Sequence, residues 1–207
     1  MLTIVDYGGG NLGSLIGALE RRGVDYHVTD DPQPVAGARA LVFPGDGAFG
    51  ATMDALRVRG LDLAIREAIE AGTPFLGICV GMQILFDGST EFGGARGLGI
   101  FAGEVARFQR APRVPHMGWN RLEPTGEHAF AAGLEDGDYA YFLHSYRAPV
   151  GPQTVAATTH GDRFSAIVAR GNVMGTQFHP EKSQRTGAKL IDNFLRVAGI
   201  TVKENRP

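Results

Sequence analysis

The sequence lacks the features that mark secreted, membrane-spanning or nucleic-acid-binding proteins. It has one cysteine among 207 residues, so no disulfide can form within the chain. Its 20 basic and 22 acidic residues leave a formal net charge of -2, with no basic excess to neutralise a nucleic-acid backbone. No apolar run approaches the roughly 18 residues that cross a bilayer, and the start, MLTIVDYGGG, lacks the layout of a signal peptide. We therefore expect a cytoplasmic protein without nucleic-acid or membrane partners.

The single cysteine, Cys79, has two interpretations. Buried cysteines often serve as small apolar residues in a core, and composition alone favours that reading. A lone cysteine in an intracellular chain that also carries several histidines is a candidate nucleophile. The sequence around Cys79 has to decide between the two.

Strand-like and helix-like segments alternate along much of the chain. Apolar runs predict strands at 2–6, 26–29, 40–43, 74–78 and 173–178. Apolar residues at helical spacing predict helices from Leu12 towards Gly23, from Leu61 to Gly72, and from Gln184 to Gly199. This alternation is typical of an α/β fold, a mainly parallel sheet with helices on both faces and ligands bound at the carboxyl ends of the strands.

The segment from Gly97 to Val173 changes character. Short runs such as 140–143 and 165–169, separated by turns, predict an added β-rich portion. Glycine and proline are scattered as single residues between periodic segments and form no linker or repeat. We therefore expect residues 1–207 to form a single domain.

The segment Gly77-Ile78-Cys79-Val80-Gly81 places the cysteine between a predicted strand and a predicted helix. Glycines two positions to either side permit the close contacts of a sharp strand-to-helix turn, the arrangement of a nucleophile elbow. The positive end of the helix dipole would also favour thiolate over thiol. Glycine spacing alone is a weak signal in a chain with 30 glycines, but the context favours a nucleophile.

A second motif, Gln177-Phe178-His179-Pro180-Glu181, lies at the end of the predicted strand 173–178. His179 could protonate an amine leaving group, and Glu181 could accept its other N–H and fix the tautomer, as in a catalytic triad. The alternative is a surface histidine beside a helix-capping glutamate. Together with Cys79, the two segments favour a triad of Cys79, His179 and Glu181.

Three other classes of protein remain as alternatives. Gly8-Gly9-Gly10-Asn11-Leu12-Gly13 fits the G-x-G-x-x-G pattern of an NAD site, with Asp30 where a ribose-binding acid is expected. An NAD-binding protein would leave Cys79 and His179 unexplained. The others are an interaction module without catalysis and a stand-alone thiol hydrolase such as a γ-glutamyl peptidase. No metal-ligand spacing appears, so we expect neither a metal site nor a cofactor.

Two segments, GICVGMQ at 77–83 and FHPE at 178–181, are similar to the two signatures of the triad-type, or class I, glutamine amidotransferases. Four more segments resemble one branch of these enzymes, the glutaminase subunit of imidazole glycerol phosphate synthase. They are YGGGN at 7–11, PGDG at 44–47, PHMGWN at 115–120 and YFLHSY at 141–146. The resemblance covers essentially the whole chain.

This resemblance implies a flavodoxin-like fold and hydrolysis of glutamine to glutamate and ammonia. Cys79 would attack the amide, His179 would protonate the departing ammonia, and Glu181 would orient His179. The ammonia would pass to a (β/α)8-barrel cyclase, the partner in a heterodimer. That complex makes imidazole glycerol phosphate and aminoimidazole carboxamide ribonucleotide in histidine biosynthesis. The glutaminase subunit of another amidotransferase is the alternative within the family.

The resemblance also assigns residues around the triad. Backbone N–H groups of Val80 and Gly47 would form the oxyanion hole. The glutamine substrate would contact Gly47, Gln83, Glu91, Ser145 and Tyr146. The partner interface would include Asn11, Trp119, Tyr141 and Lys182. Of the other histidines, His144 is expected near the pocket, whereas His27, His128 and His160 are expected to be solvated or packing residues.

The loop 44–47 departs from the family pattern, because Asp46 stands where relatives often carry valine. A carboxylate directed at the developing oxyanion would oppose catalysis, so we expect Asp46 to point away, towards solvent or a cation on the partner. There it could hold the loop inactive until the partner docks. The alternative is turn chemistry, since Asp bonds its own backbone in tight turns.

Overall fold

The structure is a computed structural model that describes residues 1–9 and 12–202. The strands are β1 Leu2–Val5, β2 Tyr26–Thr29, β3 Leu41–Phe43, β4 Phe75–Ile78, β5 Phe86–Ser89, β6 Ala95–Arg96, β7 Phe101–Arg107, β8 His116–Arg121, β9 Glu123–Pro124, β10 Tyr139–His144, β11 Tyr146–Arg147, β12 Thr154–His160, β13 Asp162–Arg170 and β14 Val173–Thr176. The α-helices are α1 Leu12–Glu20, α2 Pro32–Ala36, α3 Phe49–Arg59, α4 Leu61–Glu70, α5 Val80–Gln83 and α6 Gln184–Val197. None of the helices in the described ranges is long and apolar enough to cross a membrane.

The main sheet has eight strands in the order β2-β1-β3-β4-β14-β13-β12-β9. Strands β2, β1, β3, β4 and β14 are mutually parallel, and β13, β12 and β9 continue the sheet antiparallel. A separate antiparallel pair joins β8 to β10, and a smaller sheet joins β11, β7, β5 and β6. The predicted α/β fold, mainly parallel with an added β-rich portion, is confirmed.

Helices cover both faces of the parallel strands. Successive side chains of a strand point to opposite faces, and the apolar runs of β1, β3 and β4 divide accordingly between two cores. Leu76 and Ile78 join the core that includes α1 and α6, whereas Phe75 joins the core that includes α2, α3 and α4. Burial on both faces explains why these strands read as continuous apolar runs.

The sequence patterns do not predict α2 and α3. Helix α2 is short, yet its start carries two recognisable signals: Pro32 in the first turn, and Asp31, whose side chain accepts a 2.9 Å bond from the Gln33 N–H. Helix α3 begins without a side-chain cap. Its buried Phe49, Met53 and Leu56 have helical spacing, so periodicity could have found it.

Candidate active site

Two adjacent parallel strands, β4 and β14, end at the same edge of the main sheet. Cys79 directly follows β4, and His179 lies three residues beyond β14. The Cys79 N–H donates to the Thr176 carbonyl across 2.7 Å, which ties the two strand ends together. The topology therefore brings Cys79 and His179 to one corner, where parallel sheets bind their ligands.

Cys79 sits in a sharp turn between β4 and α5. Its backbone has φ 55° and ψ -110°, outside the regions favoured by residues with side chains. A Cβ at Gly77 would lie 2.2 Å from the Gly81 carbonyl oxygen, and one at Gly81 would lie 2.3 Å from that of Phe43. The two glycines are therefore required by close backbone contacts. Helix α5 has only four residues, so its dipole contributes less to Cys79 than a long helix would.

His179 is buried and has a carboxylate on one side of its ring. The 3-10 turn Pro180–Lys182 brings Glu181 back towards the imidazole, and His179 Nδ1 lies 2.8 Å from Glu181 Oε1. Burial would lower the pKa of His179, but its hydrogen bonds to Cys79 and Glu181 outweigh burial and raise the pKa to about 10. The raised pKa favours the imidazolium, which is the form of the ring that can donate a proton.

Comparison with known proteins agrees with this geometry. The family model for Glutamine amidotransferase class-I matches residues 3–198. Imidazole glycerol phosphate synthase subunit HisH of Salinibacter ruber is 47% identical over 98% of this chain and 99% of its own length. The HisH subunit of Deinococcus radiodurans is 48% identical over 94% of this chain and 93% of its own length. The chain belongs to the HisH family of class-I glutamine amidotransferases.

Solved structures show the same fold as this HisH-family chain. A crystal structure of a glutamine amidotransferase aligns with a TM-score of 0.74 and 24% identity, over 95% of this chain and 98% of its own. PurLQS from Thermotoga maritima aligns with a TM-score of 0.71 and 22% identity, over 94% and 97% of the two chains. These structures support the fold of the HisH-family chain.

Two of the residues expected to contact glutamine, Gln83 and Tyr146, are brought together close to Cys79 in this HisH-family chain. Gln83 is buried, and its Nε2 donates to the Tyr146 carbonyl at 2.9 Å and to Gln177 Oε1 at 3.0 Å. Gln83 and Tyr146 are therefore in direct contact. Glu91 Oε2 accepts a 2.7 Å bond from the N–H of Phe49, at the start of α3, two residues beyond Gly47.

The loop 44–47 is held in place by a residue that the sequence reasoning did not single out. The hydroxyl of Tyr7 donates to the Asp46 carbonyl across 2.7 Å, and its ring stacks on Phe43 at 5.0 Å. Burial is the main cause that raises the pKa of Tyr7, so the phenol keeps its proton. Tyr7 thereby sets the orientation of the peptide between Asp46 and Gly47. Its place in the YGGGN motif was the available signal.

The expectation that Asp46 points away from the site is wrong. Its Oδ1 lies 3.5 Å from His179 Nε2, on the opposite side of the ring from the Nδ1 that faces Glu181. The physical reason is charge, because the imidazolium of His179 attracts a carboxylate within reach. In this conformation, Asp46 is a second acidic neighbour of His179.

Two of the expected interface residues lie side by side on the β8-β10 pair. Trp119 and Tyr141 are cross-strand partners with ring centroids 6.0 Å apart, and Trp119 is 47% exposed. Lys182 is exposed at the end of the 3-10 turn Pro180–Lys182, and Asn11 lies outside the described residues. The same strands expose three further large apolar side chains, Met117, Tyr139 and Leu143. The alternation of residues in HMGWN and YAYFLH could have revealed them.

The alternative sites predicted from sequence can be located in part. Gly10 of the glycine-rich segment lies outside the described residues, and Asp30 is an exposed residue directly after β2. Within residues 1–9 and 12–202, no group of three or more His, Cys, Asp or Glu side chains is arranged to hold a metal ion.

Proposed function

We propose that this chain is the glutaminase subunit of an imidazole glycerol phosphate synthase, which releases ammonia from glutamine during histidine biosynthesis. One observation carries the proposal: Cys79 and the paired His179 and Glu181 meet at the ends of β4 and β14, in a chain 47% identical to a HisH subunit. This combination supports thiolate chemistry on an amide.

In the first half of the reaction, Cys79 Sγ attacks the side-chain amide carbon of glutamine. The carbonyl oxygen becomes an oxyanion, which accepts from the backbone N–H of Val80 and from the loop at Gly47, each donor contributing about 3 kcal/mol. The N–H of Val80 suits this role, because the first N–H groups of a helix have no partner within it. The C–N bond then breaks, His179 gives a proton to the amine, and ammonia leaves behind a γ-glutamyl thioester.

In the second half, His179 is neutral and takes a proton from water as that water attacks the thioester carbon. The C–S bond breaks, glutamate leaves, and the thiolate and imidazolium are restored. Glu181 accepts from Nδ1 throughout, which keeps Nε2 turned towards the reacting atoms and stabilises the charged ring.

The contacts around Cys79 also support glutamine as the substrate. Both hydrogens of the Gln83 amide bond within the protein, so its oxygen is the atom turned towards a ligand donor such as an α-amino group. Glu91 supplies an acceptor near Gly47. Ser145, between β10 and β11, and Tyr146, the first residue of β11, complete the proposed glutamine contacts.

The partner in this proposal is a (β/α)8-barrel cyclase that docks on the β8-β10 pair. Met117, Trp119, Tyr139 and Leu143 are each at least 41% exposed, and they form an apolar face beside the catalytic corner. Large exposed apolar faces mark interaction surfaces. Ser183 links the two regions, because its hydroxyl accepts from the Tyr141 N–H at 3.0 Å and donates to the His179 carbonyl at 2.7 Å.

Residues 1–207 act as one domain in this proposal. The main sheet is continuous from β1, near the start of the described chain, through β3 and β4 to β14. Helix α6 packs in the same core as α1. A division of the chain would have to break this sheet.

The test combines labelling with reconstitution. A glutamine-analogue alkylator should add one adduct, at Cys79, and excess glutamine should protect the thiol. Cys79→Ser should lose both labelling and glutaminase activity. Mixing the chain with the barrel cyclase and its nucleotide substrate should give product from glutamine. Full turnover by Cys79→Ser would end the covalent mechanism, and failure to associate or to form product would reject the assignment to this synthase.

A further inference from the structure

A chain of hydrogen bonds leads from the β8-β10 pair, through the backbone carbonyl of Tyr146, to the sulfur of Cys79. Its last link is Gln177, which is fully buried and whose Nε2 lies 3.8 Å from Cys79 Sγ. The neighbouring link is Gln83, which donates to Gln177 Oε1 across 3.0 Å. The amide of Gln177 thus has its oxygen towards Gln83 and its nitrogen towards the sulfur.

The orientation of both amides follows from a backbone carbonyl. The Tyr146 carbonyl can only accept, so the atom of Gln83 that faces it at 2.9 Å must be the NH2 group. The second hydrogen of that group then requires an acceptor, which is the Gln177 oxygen. The remaining NH2 group of Gln177 has the sulfur as its partner, and a thiolate is a better acceptor than a thiol.

The Tyr146 carbonyl is fixed in turn by two neutral histidines. His144 Nδ1 donates to it at 2.8 Å, which leaves His144 Nε2 to accept from His116 Nδ1 at 3.1 Å. His116 Nε2 then accepts from Asn120 Nδ2 at 3.2 Å. Burial is the main cause that lowers the pKa of His144 to about 3 and of His116 to about 4, so both rings stay neutral near pH 7 and the direction of every bond is set.

We infer that Gln177 is a further catalytic residue, whose side-chain amide donates to the Cys79 sulfur and stabilises the thiolate, in addition to the acid-base role of His179. Gln83 and the His144–His116 pair are positioning residues that hold this amide. The hydrogen bond from the Gln177 amide to the sulfur weakens as Sγ attacks the substrate. It forms again as Sγ leaves the thioester in the second half-reaction. The inference rests on the proposed function only through Cys79 as the nucleophile.

The test measures alkylation of the single thiol by iodoacetamide in the full-length chain. Gln177→Leu keeps the size of the side chain and removes the donor. Because a hydrogen bond to a charged group favours that charged form, we expect labelling at pH 7 to slow about tenfold. At about pH 10, where ordinary thiols are ionised, the rates of variant and wild type should converge. His179 and Tyr7, which interact with Cys79, and Asp46, which contacts His179, are all retained in this variant.

A matched control and a second variant keep the test decisive. Gln153 is also a buried glutamine, and its Nε2 has no hydrogen-bond partner, so Gln153→Leu should label like wild type. Gln177→Glu preserves the shape of the side chain and replaces the donor with an acid, so alkylation of Cys79 should be slower than in Gln177→Leu. This variant takes the place of Gln177→Leu if the leucine variant does not fold.

Wild-type labelling rates at pH 7 in folded Gln177→Leu and Gln177→Glu would overturn the inference. Equal slowing in Gln153→Leu would overturn it as well, because the effect would then be one of packing. Alkylation requires no glutamine hydrolysis. A chain that labels as expected but releases no ammonia when it is combined with the cyclase would therefore reject the proposed function and leave the stabilisation of the sulfur by Gln177 standing.

Discussion

The site at the ends of β4 and β14 and the β8-β10 pair both bury histidines, but the histidines differ in charge: His179 favours the cation, whereas His144 and His116 are neutral. The pKa of His179 is raised to about 10, whereas those of His144 and His116 are lowered to about 3 and about 4. Burial acts in the same direction on all three rings. The difference is that His179 has Cys79 and Glu181 as partners, while His144 has a backbone carbonyl and another imidazole. Partners that carry negative charge, more than depth, decide the protonation of a buried histidine here.

The largest effect should come from removing the charged histidine. We expect His179→Ala to lower glutaminase turnover by about ten-thousandfold, because both the acid and the base are lost. The matched control is His128→Ala, at a half-buried histidine that caps the start of the 3-10 turn Ala129–Ala131, and this variant should keep wild-type turnover. Steady-state ammonia release in the reconstituted complex measures both. Near-normal turnover by His179→Ala would remove this residue from the mechanism.

Glu181 is, with Cys79, one of the two partners that distinguish His179 from the neutral histidines, so its removal should make the two regions more alike. We expect Glu181→Ala to lower turnover about a thousandfold, less than His179→Ala, because the imidazole remains but loses its orientation. Glu181→Gln, which keeps the acceptor oxygen without the charge, should be the milder variant. A loss in Glu181→Ala greater than that in His179→Ala would show a role of Glu181 independent of the ring.

The free energy of unfolding should change with pH in opposite directions for the two groups of histidines. Because the pKa of His179 is raised in the folded chain, His179 contributes its full stabilisation below pH 6.5, the pKa of the residue in the unfolded chain. This stabilisation is lost as the pH rises towards about 10. For His144 and His116 the unfolded chain binds protons first, so stability falls as pH drops from 6.5 to about 4. His144→Gln should flatten this acid-side slope in urea unfolding, and the same change at exposed His27 should not. An unchanged slope in His144→Gln would mean that His144 is not neutral in the folded chain.

The smallest effect should come from Asp46, the second carboxylate beside His179. Removing its charge with Asp46→Asn should raise the turnover of the isolated subunit by about threefold and reduce its salt dependence, because a competing partner of Nε2 is weakened. Asp54→Asn on α3 is the control for an exposed acid. If the ratio of coupled to uncoupled turnover is the same in wild type and Asp46→Asn, only turn chemistry explains this residue.

The parts of the chain governed by local periodicity could be predicted from sequence. Strands such as Tyr26–Thr29 and the helix starting at Gln184 follow directly from apolar spacing. The corner at Cys79 and His179 was also predictable, because both residues follow apolar strands and parallel strands end at one edge. Asp46 was misjudged, since its direction depends on the charge of a residue 133 positions away in sequence. Gln177 was passed over for the same reason, because its partners Gln83 and Cys79 meet it only in the folded chain.

The backbone of Cys79 has a consequence for engineering. A left-handed φ of 55° suits glycine better than any residue with a Cβ, and holding another residue there costs on the order of 1 kcal/mol or more. Cys79→Gly should therefore melt at a higher temperature than wild type while hydrolysing nothing. A directed-evolution campaign that selects only for thermal tolerance would favour variants that discard the nucleophile. Libraries built on this scaffold need a selection for turnover at every round, because stability and activity are opposed at this position.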